Sequence, residues 1–90
     1  MAEYRLLIKP SAAKEIDAIG SKRDCRRIVA RIAALSVEPR PIGCEKLAGT
    51  ANRYRVRQGD YRVVYTIADA ARIVEVVKVG NRLEVYRKGG

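Results

Sequence analysis

Four arginines fall at alternating positions around a tight turn: Arg53, Arg55 and Arg57 precede Gly59-Asp60, and Arg62 follows it. A guanidinium is a planar, permanently charged fork that matches the oxygens of a phosphate. Several of them converging on one face make an anion site, and fixed cations of this kind stabilise charge that develops on a phosphoryl group. The plainer alternative is a solvated basic face that keeps strand edges from aggregating.

The element that must position these arginines is a β-hairpin over Arg53–Tyr65. Two alternating runs flank Gly59-Asp60, residue types that two-residue hairpin turns select. A two-residue loop pairs Gln58 with Tyr61, Arg57 with Arg62, Val56 with Val63, Arg55 with Val64 and Tyr54 with Tyr65. Period-two geometry then puts Tyr54, Val56, Tyr61, Val63, Tyr65 and Ile67 on a core face and the four arginines on the other. Like charges directly opposite each other destabilise a hairpin. No acid is expected on the basic face, because Asp60 lies in the turn.

Composition points the same way. The 90 residues suffice for one domain, 1–90, with a modest core. Nineteen Lys and Arg against ten Asp and Glu give a net charge of +9, and thirteen of the nineteen are Arg. This balance suits a polyanionic partner, and the excess of Arg suits bidentate phosphate contacts, although a GC-rich genome would also raise Arg. The chain has no His, so general acid–base work falls to Arg, Lys, Tyr, Asp or Glu. Cys25 and Cys44 make no metal motif and are expected to be free; neither a metal nor another cofactor is implied. There is no membrane-spanning apolar run and no signal-peptide pattern at the N-terminus, so a cytoplasmic protein is expected.

Taken in order, Glu3–Lys9 reads as a strand stopped by Pro10, and Ser11 as the N-cap of a helix over Ala12–Ile19 ended by Gly20. Ser21 caps a second helix whose Cys25, Ile28, Val29, Ile32 and Leu35 face the sheet. Lys22, Arg23, Arg26, Arg27 and Arg31 cover its opposite side and read as a solvated stripe; the alternative is added electrostatic attraction to RNA. Pro39 and Pro41 open a loop to about Asn52, within which Leu47 plugs the core and Gly49 turns the chain. After the hairpin, Arg72–Val79 is a central strand, broken by Gly80. A short C-terminal segment over 81–87 follows, and Lys88-Gly89-Gly90 reads as a frayed tail. The order is strand, two helices, then three antiparallel strands: an α+β fold with the helices packed on one face of a four-stranded sheet.

The ordered set Lys46-Leu47-Ala48-Gly49, then Tyr54 to Tyr65, then Val77-Lys78-Val79-Gly80-Asn81-Arg82-Leu83-Glu84-Val85-Tyr86 resembles the RelE branch of the RelE/ParE toxin superfamily along almost the whole chain. The resemblance implies a RelE-like fold and a type II toxin: a ribosome-dependent endoribonuclease (mRNA interferase) that cuts mRNA in the ribosomal A site without a metal. It implies partners too: the ribosome, mRNA and a cognate RelB-like antitoxin whose acidic or amphipathic segment covers the basic face in a heteromeric complex, with no membrane involved.

Carried over by position, the catalytic set is Arg55, Arg57, Arg62, Arg82 and Tyr86. Arg57 and Arg62 would bind the scissile phosphate, and Arg55 would position the backbone or polarise the nucleophile. Arg82 would stabilise charge or protonate the leaving oxygen, and Tyr86 would stack on a base or move a proton. Lys46, Arg53, Lys78, Asn81 and Arg87 are the flanking candidates for RNA contact. In some relatives Arg55 is replaced by a Lys proposed as general base, and in others Asn81 is replaced by a His. The assignment of acid and base therefore stays open here, and slow chemistry that relies on the ribosome to align the RNA is expected. Two other readings stand beside this one: a DNA gyrase inhibitor of the ParE type, and a catalytically degenerate RNA-binding homologue.

Overall fold

Seven elements follow one another in the computed structural model, which describes residues 3–81. They are β1 (Arg5–Ile8), α1 (Pro10–Asp17), α2 (Lys22–Ala34), β2 (Glu45–Lys46), β3 (Arg53–Gln58), β4 (Tyr61–Ala68) and β5 (Ile73–Asn81). The strands form one sheet in the order β1-β5-β4-β3-β2. β1 runs parallel to β5, with Arg5 opposite Ile73, and every other neighbouring pair is antiparallel. The α+β order is the expected one. The sheet gains a fifth strand, because Glu45-Lys46 pairs with β3 inside what reads as a loop. Two residues are too few to show a period, so only the partner strand reveals them.

The helices cover one sheet face. Ala12 and Ile16 of α1 and Ile28, Ile32 and Leu35 in and after α2 pack on Val56, Val63, Tyr65 and Ile67 of the hairpin and on Val74, Val76 and Val79 of β5. β5 lies between β1 and β4, the central position that apolar side chains on both of its faces predict. Cys25 and Cys44 are free thiols packed against this core.

Local chemistry explains most boundaries and corrects some. Ser21 Oγ accepts the Asp24 N–H at 3.2 Å, so α2 starts where the capping pattern puts it. α1 begins earlier than expected. Pro10 is its first residue, where a fixed φ and a missing N–H cost nothing, and Lys9 rather than Ser11 occupies the cap position. Val29 does not join the core and is 50% exposed, because one helical step of about 100° carries it away from Ile28. Leu47 is only half-buried and lies outside the core; its N–H and C=O bond Arg53 O and Thr50 Oγ1 in the turn that Gly49 makes at φ 78°. Gly80 does not break β5, since β4 continues to pair with it and with Asn81.

Candidate functional site

The β3–β4 hairpin has the register that its alternation predicts. Gln58 lies opposite Tyr61, Arg57 opposite Arg62, Val56 opposite Val63, Arg55 opposite Val64 and Tyr54 opposite Tyr65. Gly59 has φ 60° while Asp60 stays at negative φ, the pattern of a type II′ turn, whose hand suits twisted strands. Val56, Val63 and Tyr65 are in the core, so the alternate positions Arg53, Arg55, Arg57 and Arg62 belong to the sheet face away from the helices.

These arginines do not form a uniformly solvated face. Arg62 is 3% exposed, on a strand flanked by Arg57 of β3 on one side and Gly80 of β5 on the other. Arg57 is exposed and Arg55 half-buried. A guanidinium taken out of water beside another is expensive unless other groups or a ligand compensate it. The edge-protection reading therefore fails for Arg62, which lies on an interior strand.

The fifth strand also supplies an acid to the basic face. Glu45 lies opposite Arg55, and Arg55 Nη2 donates to Glu45 Oε1 at 2.6 Å. Its carboxyl is held below the usual glutamate range, first by that hydrogen bond and then by the charge of Arg55, with Arg57 and Arg62 contributing in the same direction. The expectation that no acid shares this face is thus overturned. Nothing local marks Glu45 as a member of this face, because a two-residue strand shows no period.

The other candidates divide. Arg53 is exposed opposite Thr66, on the basic face by register. Lys46 lies opposite Tyr54 and Asn81 opposite Tyr61, so register places both with the tyrosines and not with the arginines. Lys78 is tied to α1: its Nζ donates to Glu15 Oε2 at 2.7 Å, and the other oxygen of Glu15 accepts the Val79 N–H at 2.9 Å. Arg82, Tyr86 and Arg87 lie outside the described residues. Of the tyrosines expected in the core, Tyr65 is fully buried, and Tyr54 and Tyr61 pack against it partly exposed. Among the described residues no three Cys, Asp or Glu side chains gather closely enough to hold a metal ion. No described helix is long and apolar enough to cross a membrane.

The hairpin's far end is anchored by polar contacts. Tyr65 donates its hydroxyl to Pro39 O at 2.8 Å, and burial pushes its phenol pKa up. Arg40 lies over the Tyr54 ring and forks onto both oxygens of Asp69, which also accepts the Tyr4 hydroxyl at 2.7 Å. The Arg40 hydrogen bond, then that of Tyr4, draws the Asp69 carboxyl from its ordinary 3.8 down to about 2. A depressed carboxylate stabilises the fold above its unfolded pKa and loses that contribution as pH falls through the folded value. Thermal melts should therefore show a loss of stability between about pH 4 and pH 2 that is smaller in Asp69→Asn. An identical acid profile in the variant would remove Asp69 as a cause.

Fold and site together define a small basic α+β domain that gathers guanidiniums and the Glu45 carboxylate on the sheet face opposite its helices. Residues 6–86 match the family model described as the ParE toxin of the type II toxin–antitoxin system parDE. The chain is 34% identical over 74 residues to Toxin RelE of Mycobacterium tuberculosis, covering 72% of this chain and 76% of that protein. It superposes on the archaeal RelE–RelB complex structure from Pyrococcus horikoshii OT3 with a TM-score of 0.78 at 31% identity, covering 91% of this chain and 97% of that one. For the intact E. coli RelBE toxin–antitoxin complex the TM-score is 0.74 at 28% identity, covering 87% and 95%. The chain belongs to the RelE/ParE superfamily of type II toxin–antitoxin toxins, in its RelE branch.

Proposed function

We propose that this toxin is a ribosome-dependent endoribonuclease that cleaves mRNA in the ribosomal A site and so inhibits translation. The observation that carries the reading is the buried Arg62 with Arg57 across from it and Arg55 beside it on one sheet face. In the proposed reaction the RNA 2′-oxygen attacks the adjacent phosphorus and the 5′-oxygen leaves. The products are a 2′,3′-cyclic phosphate and a 5′-hydroxyl, and no metal is required. Arg57 and Arg62 bind the non-bridging oxygens, where negative charge grows in the transition state. Arg82 and Tyr86 keep the roles that the resemblance gives them, charge stabilisation or protonation at the leaving oxygen and base stacking or proton transfer.

Glu45 supplies a proton acceptor on a face where the residue types had suggested none. The arginines that keep it ionised also weaken it as a base, which agrees with slow chemistry that depends on alignment by the ribosome. The partner is a RelB-like antitoxin, as in the RelE–RelB and RelBE complexes that this fold matches, with the basic face the surface an acidic segment would neutralise. The protein then acts in the cytoplasm, where translating ribosomes are.

Primer extension on an mRNA in a translating extract tests the reading. Wild type should give ribosome-dependent cuts within A-site codons, and Arg57→Ala, an exposed position whose loss spares the core, should reduce them at least tenfold. Because the matching family model is described by the ParE toxin, a DNA gyrase supercoiling assay belongs beside it. Inhibited supercoiling with intact mRNA would replace this reading with gyrase poisoning, and inactivity in both assays would leave a degenerate homologue.

A further inference from the structure

Arg31 does not behave like the other basic residues of α2. Lys22, Arg23, Arg26 and Arg27 are exposed, as a solvated stripe should be. Arg31 is half-buried, and its Nε is fully shielded and makes no hydrogen bond. It lines a groove of about 480 Å³ together with Gly43, Cys44, Glu45 and Arg57. This volume is in the range of small-molecule sites and exceeds what a single anion needs. Gly43 has φ 91° and open space where a side chain would stand, so its backbone leaves the groove floor clear.

Arg57 belongs to two concavities. It also lines a small recess with Gly59, Asp60, Tyr61 and Arg62 at the hairpin turn. Arg57 thus borders both the recess beside Arg62 and the groove lined by Arg31. We propose that this groove is a second phosphate subsite, in which Arg31 binds the sugar–phosphate backbone of a single-stranded RNA beyond the phosphate held by Arg57 and Arg62. The proposal deepens the endoribonuclease reading and rests on it for the identity of the ligand. Arg31 is half-buried and lines the groove beside Arg57, and the charged fork of a guanidinium matches the oxygens of a phosphate. Glu45, which also lines the groove, is engaged with Arg55, so Arg31 and Arg57 leave the groove a net positive charge for the strand.

The test is a salt titration of binding to a short fluorescein-labelled single-stranded RNA, read by anisotropy, with thermal melts on every variant. Each phosphate contact on a single strand contributes about 0.7 to the slope of log K against log salt. Arg31→Gln should lower the slope by about 0.7, Arg31→Lys should restore most of it, and Arg23→Gln on the exposed stripe should leave it unchanged. Equal slopes for Arg31→Gln and wild type, or equal losses in Arg31→Gln and Arg23→Gln, would overturn the subsite. A slope that falls for Arg31→Gln while wild type leaves mRNA intact in extract would keep the subsite and refute the cleavage reading. Should Arg31→Gln melt early, Arg31→Ala and Arg31→Lys provide the same comparison, and no slope difference between those two would likewise overturn it.

Discussion

Replacing Arg62 by Ala is expected to abolish most of the proposed mRNA cleavage, by about 10²–10³-fold, while the protein stays folded. This is the magnitude lost when one preorganised donor to a developing oxyanion is removed. Arg62 fits that description better than its neighbours, because it is buried on an interior strand and its position is set by both flanking strands. A preorganised cation needs little rearrangement when charge appears on the phosphate. Its removal also relieves the like-charge pairing with Arg57, so the stability cost of the lost side chain is offset in part. Arg62→Lys should recover only part of the rate, since an ammonium keeps the charge but not the bidentate fork. The checks are primer extension in a translating extract and a far-UV melt on the same preparations. A folded Arg62→Ala protein that cuts at the wild-type rate would remove the guanidinium cluster from the mechanism.

The second large effect is on stability. Tyr65→Ala should destabilise the domain by about 3–5 kcal/mol, the range for truncating a buried aromatic residue. Tyr65 is completely buried among the β4, β5 and helix residues, its ring is stacked near that of Tyr54, and its hydroxyl holds the Pro39 carbonyl. A domain of this size has roughly 5–13 kcal/mol to lose, so the variant should melt more than ten degrees lower and be partly unfolded under mild denaturant. Tyr65→Phe separates the two contributions. It keeps the ring and should cost only about 1–3 kcal/mol for the carbonyl left without its donor. Equal midpoints for Tyr65→Ala and wild type in urea would show that the hairpin does not depend on this anchor.

Residue order alone determined the hairpin and its register. Period-two alternation around Gly59-Asp60 leaves one pairing that buries Val56, Val63 and Tyr65 together, and a one-residue slip would turn all three to solvent. The Ser21 cap, the sheet-facing side of α2 around Ile28 and Ile32, and the central place of β5 were legible for the same reason: each is a local pattern with one good way to bury it. The convergence of Arg55, Arg57 and Arg62 followed from the register.

Only the tertiary structure decided what surrounds those arginines. Alternation puts Arg62 on a face but cannot say that β4 is an interior strand or that the side chain is buried there. Glu45 joins the site through a two-residue strand that forms because β3 offers it an edge, and no local signal precedes that pairing. Lys46 and Asn81, which sequence proximity groups with the site, fall on the other face by one step of the pleat. Arg31 changes from one of a helical stripe to the wall of a groove because the Gly43-Cys44 segment returns beside α2. In each case the deciding contact joins separate elements, and local pattern within either element does not name the partner.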